Sequence, residues 1–150
     1  MSAIHAMPGH LIRRLHQISD ALFAEECASV SLTSVQFAAL VAIRENPGID
    51  ATRLSAIIAY DRSTIGDVLV RLEGKGWILR GPSAGDKRIK LLRLSPGGLK
   101  ILDEVRPAVR RVQERILKPL DPVDRARALD LLTRLVDLHH VAPAALDAAE

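Results

Sequence analysis

A single cysteine, Cys27, stands in a chain of 150 residues, so no internal disulfide can form and no cysteine cluster exists to hold zinc or an iron–sulfur centre. Aromatic side chains are nearly as scarce, at 3% of the sequence, while Ala, Leu and Arg abound, a balance that favours helices over sheets. No run of about 18 uninterrupted apolar residues occurs, and Met1 to His10 lacks the basic-then-apolar pattern of an export signal. A cytoplasmic protein without a membrane span is the expectation. Nucleophile elbow, phosphate loop and HExxH are all missing, so an enzyme reading has no anchor, and neither a metal nor a cofactor is expected. The adjacent His139 and His140 do not change this, because neighbours on a helix point about 100° apart and chelate poorly together. His139 is read as an interface residue and His140 as a surface one.

What is present is uneven in charge. The formal net charge is only +3, yet residues 50 to 100 hold ten Lys/Arg against five Asp/Glu, and the remainder holds eleven against thirteen. A basic middle between slightly acidic flanks is the footprint of one face that meets phosphate. The length suits one domain, or one domain with extra helices, and is ample for a core.

The basic middle also carries the clearest pattern. Ile65, Val68, Leu69 and Leu72 fall at the i, i+3, i+4, i+7 spacing of a helix with one buried stripe, which puts Ser63, Thr64, Asp67 and Arg71 on the opposite, wet face. Ser63 is the expected cap, and Gly74 and Gly76 end the helix. Trp77 to Arg80 reads as a strand, Gly81 to Asp86 as a turn, and Ile89 to Leu94 as the returning strand. Upstream, Thr33 and Gln36 form a capping box that opens a helix ended by Asn46-Pro47-Gly48. Ile49, Asp50 and Leu54 fit a staple around a second cap, so a short helix runs from Ala51 to about Ala59 with Leu54, Ile57 and Ile58 inward. That helix, the Tyr60-Asp61-Arg62 turn and the Ser63 helix make a helix-turn-helix, and the ribbon after it makes a wing.

The flanks are helical. From His10 to about Ala28, Leu11, Leu15, Ile18 and Leu22 recur at 4, 3, 4 spacing. After Ser95-Pro96, a good helix start, Leu102, Val105, Val109, Val112 and Ile116 recur at 3, 4, 3, 4. Pro107 should bend this helix and Pro119 should end it. Asp121-Pro122 starts a last helix with Ala128, Leu132, Leu135 and His139 along one side. The fold class is therefore all-α with a small β-ribbon wing. Residues 32–95 form a winged helix-turn-helix, and residues 1–31 and 96–150 form a helical region whose unpartnered stripes imply a homodimer.

Taken together, Leu32-Thr33 to Phe37, Asp61-Arg62-Ser63-Thr64, Leu72 to Ile78, and Asp86-Lys87-Arg88 to Leu94-Ser95 resemble the MarR family of bacterial regulators over nearly the whole chain. The most specific part is the wing, where the family's Asp-x-Arg tip, Leu-Thr and Gly match Asp86, Arg88, Leu94-Ser95 and Gly98. Ser95 departs mildly from the family's Thr, and either hydroxyl can cap. The resemblance implies a homodimer with two winged helices on a pseudo-palindromic operator. It also implies a repressor released by a small phenolic or carboxylate ligand. Pro8 to Arg14 and Pro47 to Leu54 look like the branch that governs catabolism of aromatic acids.

On the wet face, Thr64, Asp67 and Arg71 can reach base edges, with Asp67 also expected to pair with Arg71 and hold its rotamer. Arg62 and Ser63 suit phosphate contacts. Arg88 resembles the family's minor-groove arginine, with Asp86 fixing its direction, and Arg80, Lys87, Lys90 and Arg93 add positive charge. His10, Arg13, Arg14, His16 and Gln17 crowd the first helix with cationic and hydrogen-bonding groups, as a site for an anionic aromatic effector would need. Three functions compete: a ligand-responsive repressor on double-stranded DNA, a redox-switched regulator acting through Cys27, and a winged helix used only for protein contacts. Cys27 has no base or second cysteine near it in sequence, which favours a packing role. Replacing Cys27 with Ser should accordingly leave operator binding and its release intact. If peroxide frees the wild type from DNA while the Ser variant stays bound, the redox reading takes its place.

Overall fold

In the computed structural model, which describes residues 3–146 and the side chains of 3–139, the chain forms six α-helices and one antiparallel ribbon. Helices α1 (Pro8–Glu26), α2 (Ser34–Glu45), α3 (Ala51–Ile58) and α4 (Arg62–Gly74) precede strands β1 (Ile78–Pro82) and β2 (Lys90–Leu94). Helices α5 (Pro96–Leu117) and α6 (Pro122–Leu146) follow. The chain divides into two compact units, one up to Val112 and one from Gln113 on.

The first unit is built around one apolar core. Leu40, Ile43, Leu54, Ile65, Leu69, Leu72, Ile78, Leu92 and Val112 are fully buried, one to three from each surrounding element. Burying a side chain of this size stabilises the fold by about 1.5–3 kcal/mol. The α4 stripe is as its spacing requires, with Ile65, Val68, Leu69 and Leu72 all inside. Helix α1 reaches this core at its end, through Phe23 and Cys27, and the Phe23 ring sits 5.7 Å from that of Phe37 on α2. Its earlier turns do not, and Leu11, Leu15 and Ile18 remain 53%, 40% and 47% exposed.

Caps punctuate the helices. Thr33 and Gln36 form the full capping box, and the Asp50 carboxylate accepts from the Arg53 amide at 2.9 Å. The α4 cap differs from the expectation: Asp61, not Ser63, begins the helix, its carboxylate accepting from the Thr64 amide at 2.8 Å. A carboxylate at the positive end of a helix is a stronger acceptor than a hydroxyl, and the Ser63 hydroxyl donates to Asp61 instead. Helix α3 stops at Ile58 because Ala59 turns left-handed, at φ 58°. Ile57 is 54% exposed, where an inward position was expected, because the inward edge of α3 follows Leu54 and Ile58, one turn apart, and Ile57 lies to its side.

The ribbon is shifted relative to its expected bounds. Trp77 precedes β1, Gly81 and Pro82 extend it, and Ile89 falls outside β2. Pro82 pairs with Lys90 at the outermost position, where its missing N–H costs least. Ile49 is more than a staple: it bridges Leu92, with Gly48 donating to the Leu92 carbonyl and Leu92 to the Ile49 carbonyl, both at 2.8 Å. The wing is thereby stitched to the start of α3. Helix α5 runs through Pro107 without a break and ends at Leu117, two residues before Pro119.

In the second unit, Asp121 caps α6 by accepting from the Asp124 amide at 2.9 Å, and Arg125 donates to the carbonyls of Leu120 and Lys118 to close the preceding turn. Leu132 and Leu135 are 42% and 53% exposed, and His139 is exposed. His140 lies outside the residues whose side chains are described.

The tightest packing joins the wing root to α5, where a Cβ on Gly98 would lie 2.1 Å from the Trp77 carbonyl oxygen. Gly98→Ala should therefore destabilise the fold by about 1–3 kcal/mol or more through overpacking. Gly74→Ala, in a helix with nothing within 4 Å of the added methyl, should raise stability by about 0.4–1 kcal/mol. Chemical denaturation of both variants checks the pair; equal effects would contradict the close approach at Gly98.

Candidate nucleic-acid interface

Helix α4 leaves Ser63, Asp67 and Arg71 exposed and Thr64 half-buried, on one side of a helix whose other side fills the core. Asp61 organises its first turn. Hydrogen bonds from the Ser63 hydroxyl, the Thr64 amide and the Thr64 hydroxyl, the two hydroxyl contacts each at 2.7 Å, hold its carboxyl well below the usual carboxylate range. Ser63 and Thr64 are thus oriented by Asp61, a role that their own identities did not reveal. Arg62 opens the helix and is exposed, next to this cluster.

Asp67 and Arg71 form no ion pair among the described residues, contrary to the expected i, i+4 contact. For exposed side chains in water the Coulomb gain of such a pair is offset by the entropy of holding two chains in one geometry. Arg71 is left available to other acceptors.

At the wing, the Asp86 carboxylate accepts from the Arg88 amide at 2.9 Å and from its guanidinium at 3.2 and 3.3 Å. The Arg88 side chain is 91% exposed and the Asp86 carboxyl is held below its ordinary range, first by the guanidinium and then by the amide. An arginine held by a short turn and projected into solvent is suited to enter a groove. Lys87 and Lys90 are exposed beside it, while Arg80 is occupied at the wing root by Glu73, at 2.8 Å.

Two clefts flank α4. A cavity of about 510 Å³ is bounded by His16, Asp20 and Ala24 of α1, by the start of α2, by Tyr60, and by Thr64, Asp67, Val68 and Arg71 of α4. Of the five residues proposed for an effector, only His16 lines it, joined to Asp20 at 3.2 Å. His10 is half-buried against the His5 ring, 5.3 Å between centroids, while Arg13, Arg14 and Gln17 are exposed. Tyr60 and Arg71 as cavity residues were not foreseen, because membership depends on how α1 lies over α4. The second cleft, about 420 Å³, lies between the wing and the first turns of α3 and α4.

Cys27 is 1% exposed, and burial, followed by the neighbouring Glu26, pushes its thiol pKa up against the opposing effect of Arg111. The thiolate that redox chemistry requires is disfavoured there.

A capped reader helix, the helix before it and an arginine-tipped ribbon define a winged helix-turn-helix DNA-binding protein. Residues 32–90 match the MarR family. The chain is 30% identical over 129 residues to the HTH-type transcriptional repressor NicR of Pseudomonas putida, covering 86% of this chain and 82% of that one. It is similar to the PcaV transcriptional regulator from Streptomyces coelicolor, solved with its natural ligand, at 31% identity and a TM-score of 0.78 over 91% of this chain and 96% of that one. It is also similar to Bordetella bronchiseptica BpsR, whose DNA binding is regulated by 6-hydroxynicotinic acid, at 26% identity and a TM-score of 0.81 over 88% and 94%. The chain belongs to the MarR family of transcriptional regulators.

Because the folded-state pKa of Asp61 is depressed, its contribution to stability is complete above the ordinary value of 3.8 and is lost as pH falls below that value toward the folded one. Carboxyl NMR titration should place the Asp61 midpoint well below 3.8, and Ser63→Ala with Thr64→Val should raise it. A wild-type midpoint at the ordinary value would show that the first turn of α4 is not organised this way.

Proposed function

We propose that this regulator is a cytoplasmic homodimeric repressor of a pseudo-palindromic operator and that a small aromatic carboxylate releases it. The observation that carries this reading is the cavity beside α4: Thr64, Asp67 and Arg71, the candidate base-reading residues, also form one of its walls. An occupant therefore touches the reading helix directly. Its size falls within the range of small-molecule sites, roughly 300–1,000 Å³. NicR, PcaV and BpsR make the aromatic class the first to test, since the BpsR ligand is itself an aromatic carboxylate.

Within that wall, Arg71 is the permanent cation, so a carboxylate would pair with it, while His16 and Tyr60 are placed to bond ring substituents. This differs from the site expected from the sequence, His10, Arg13, Arg14, His16 and Gln17 on α1, where Arg14 or Arg13 would hold the carboxylate and His10 or His16 a ring substituent. An occupant that holds Arg71 removes it from DNA, and release follows if the ligand binds the free state better than the DNA-bound one.

Dimerisation is assigned to residues 1–31 and 96–150. Leu11, Leu15 and Ile18 on α1, and Leu132 and Leu135 on α6, are large apolar side chains left 40–53% exposed at helical spacing. Such stripes are buried by a partner helix. Two identical reader helices would enter successive major grooves about 34–36 Å apart. The DNA contacts assigned are Thr64, Asp67 and Arg71 to bases and Arg62, Ser63, Lys87 and Lys90 to phosphates. Arg88 goes to the minor groove, oriented by Asp86.

Titration calorimetry of 6-hydroxynicotinate, 4-hydroxybenzoate and 4-hydroxycinnamate against wild type, Arg14→Ala and Arg71→Gln tests the reading, with the mass in solution measured in parallel. The active compound should weaken operator binding, and Arg71→Gln should cost about 1.5–3 kcal/mol of its affinity. Loss at Arg14 alone moves the carboxylate to α1. A monomer that holds the operator tightly, or no binding by any compound, sinks the corresponding half of the proposal.

A further inference from the structure

The cleft between the wing and the first turns of α3 and α4 has an uneven charge balance. Arg53, Arg62, Arg80, Arg88 and Lys90 all line it, against Asp50. Two of the five cations already have acidic partners, Arg80 in Glu73 at 2.8 Å and Arg88 in Asp86 at 3.2 Å. Asp50 is engaged as the α3 cap, accepting from the Arg53 amide. Arg53, Arg62 and Lys90 have no acidic partner among the described residues. They come from three different elements, the first turn of α3, the first residue of α4 and the first residue of β2, and they converge on one concavity.

Three like charges gathered in this way repel one another in the free protein, and an anion placed between them converts that repulsion into attraction. The floor behind them is apolar: Leu69 and Leu92 line the cleft and are each 1% exposed, so an anion seated there is flanked by low dielectric on one side. Thr52 also lines the cleft and brings a hydroxyl group to it. We propose that this cleft seats a single phosphate of the DNA backbone, held jointly by Arg53, Arg62 and Lys90.

The occupant is a backbone phosphate because of where the cleft lies. It opens between the helix that carries Thr64 and the ribbon that carries Arg88, the two elements assigned to the two grooves, and a strand linking those grooves must pass between them. Seated there, the phosphate ties β2 to α3 and α4 and sets the angle between wing and reader helix. Arg53, which nothing in the helical pattern of the sequence singled out, becomes a positioning residue. The inference rests on DNA binding and not on the identity of any effector.

Counterion release distinguishes one shared phosphate from three separate ones. The slope of log K against log salt changes by about 0.9 for each phosphate neutralised on duplex DNA. On a random-sequence duplex, the triple variant Arg53→Ala, Arg62→Ala, Lys90→Ala should lose about 1.8 of slope per homodimer, about 0.9 for each of its two clefts, and each single variant less than that. The charge-conserving triple, Arg53→Lys, Arg62→Lys, Lys90→Arg, should retain the wild-type slope, which separates lost charge from lost fold. Lys100→Ala, outside the cleft, should change nothing. A total loss of about 5.4 would mean three independent phosphates in each protomer, and an unchanged slope would place the cleft away from the backbone; either overturns the proposal. Titration of the free protein with pyrophosphate should show no binding below millimolar concentration. Micromolar binding would make a free anion the occupant and overturn the assignment to DNA.

Discussion

The structure depends on a knot at the root of the wing, where four segments meet within a few residues. Trp77 donates its amide to the Leu72 carbonyl at the end of α4, and its own carbonyl accepts from Ser95 at 3.0 Å. The Ser95 hydroxyl accepts from the Gly98 amide while donating to the Gly76 carbonyl, and the α5 backbone then lies so close that only hydrogen fits at Gly98. From the other side Lys75 reaches the Ser31 carbonyl at 2.6 Å and lies 4.6 Å from the centre of the Trp77 ring. The end of the reader helix, the base of the ribbon, the start of α5 and the turn before α2 thus share one set of hydrogen bonds. A shift in any one of them must be absorbed by the other three, and interiors packed this closely transmit displacement instead of dissipating it.

Outward from this knot, the chain handles charge in two ways. Cations that are to be aimed are tied to a carboxylate two to seven residues away, as Arg88 is to Asp86 and Arg80 to Glu73. Cations such as Arg53, Arg62, Arg71 and Lys90 have no acidic partner among the described residues and line concave surfaces. The first arrangement gives direction at little cost in net field, and the second keeps affinity in reserve for an incoming anion. Asp61 belongs to the first kind, spending its charge on the amide and hydroxyls of its own helix start.

Features set by neighbours in sequence were legible before the fold was known. The capping box at Thr33 and Gln36, the buried stripe of α4, the Asp86 to Arg88 turn and the proline-led starts of α5 and α6 each follow from residues within one or two turns of each other. Features set by tertiary approach were not. Ser63 was a sound cap by type, yet Asp61 two residues earlier captured the role. Ile49 became a bridge to the wing because Leu92 happens to pass beside it. Ile57 stayed in solvent because Leu54 and Ile58, one turn apart, carry the inward edge of α3. Of the set on α1, only His16 lines the cavity beside α4, since which face of α1 lies over α4 is set by tertiary packing, as where Phe23 is buried near the end of the helix. The stripe of α4 and the Asp86 to Arg88 turn are local and were readable; the pockets beside them are assembled from distant segments and were not.

Arg71 stands on the exposed side of the reader helix and in the wall of the neighbouring cavity at once. On the reading proposed here, one codon then carries both the word the protein reads and the signal that silences it. Duplicated copies of such a gene could not drift apart in inducer through this position without also drifting in target. Paralogues that keep the operator but answer to a new compound would have to vary at His16, Tyr60 or the start of α2, leaving the arginine in place.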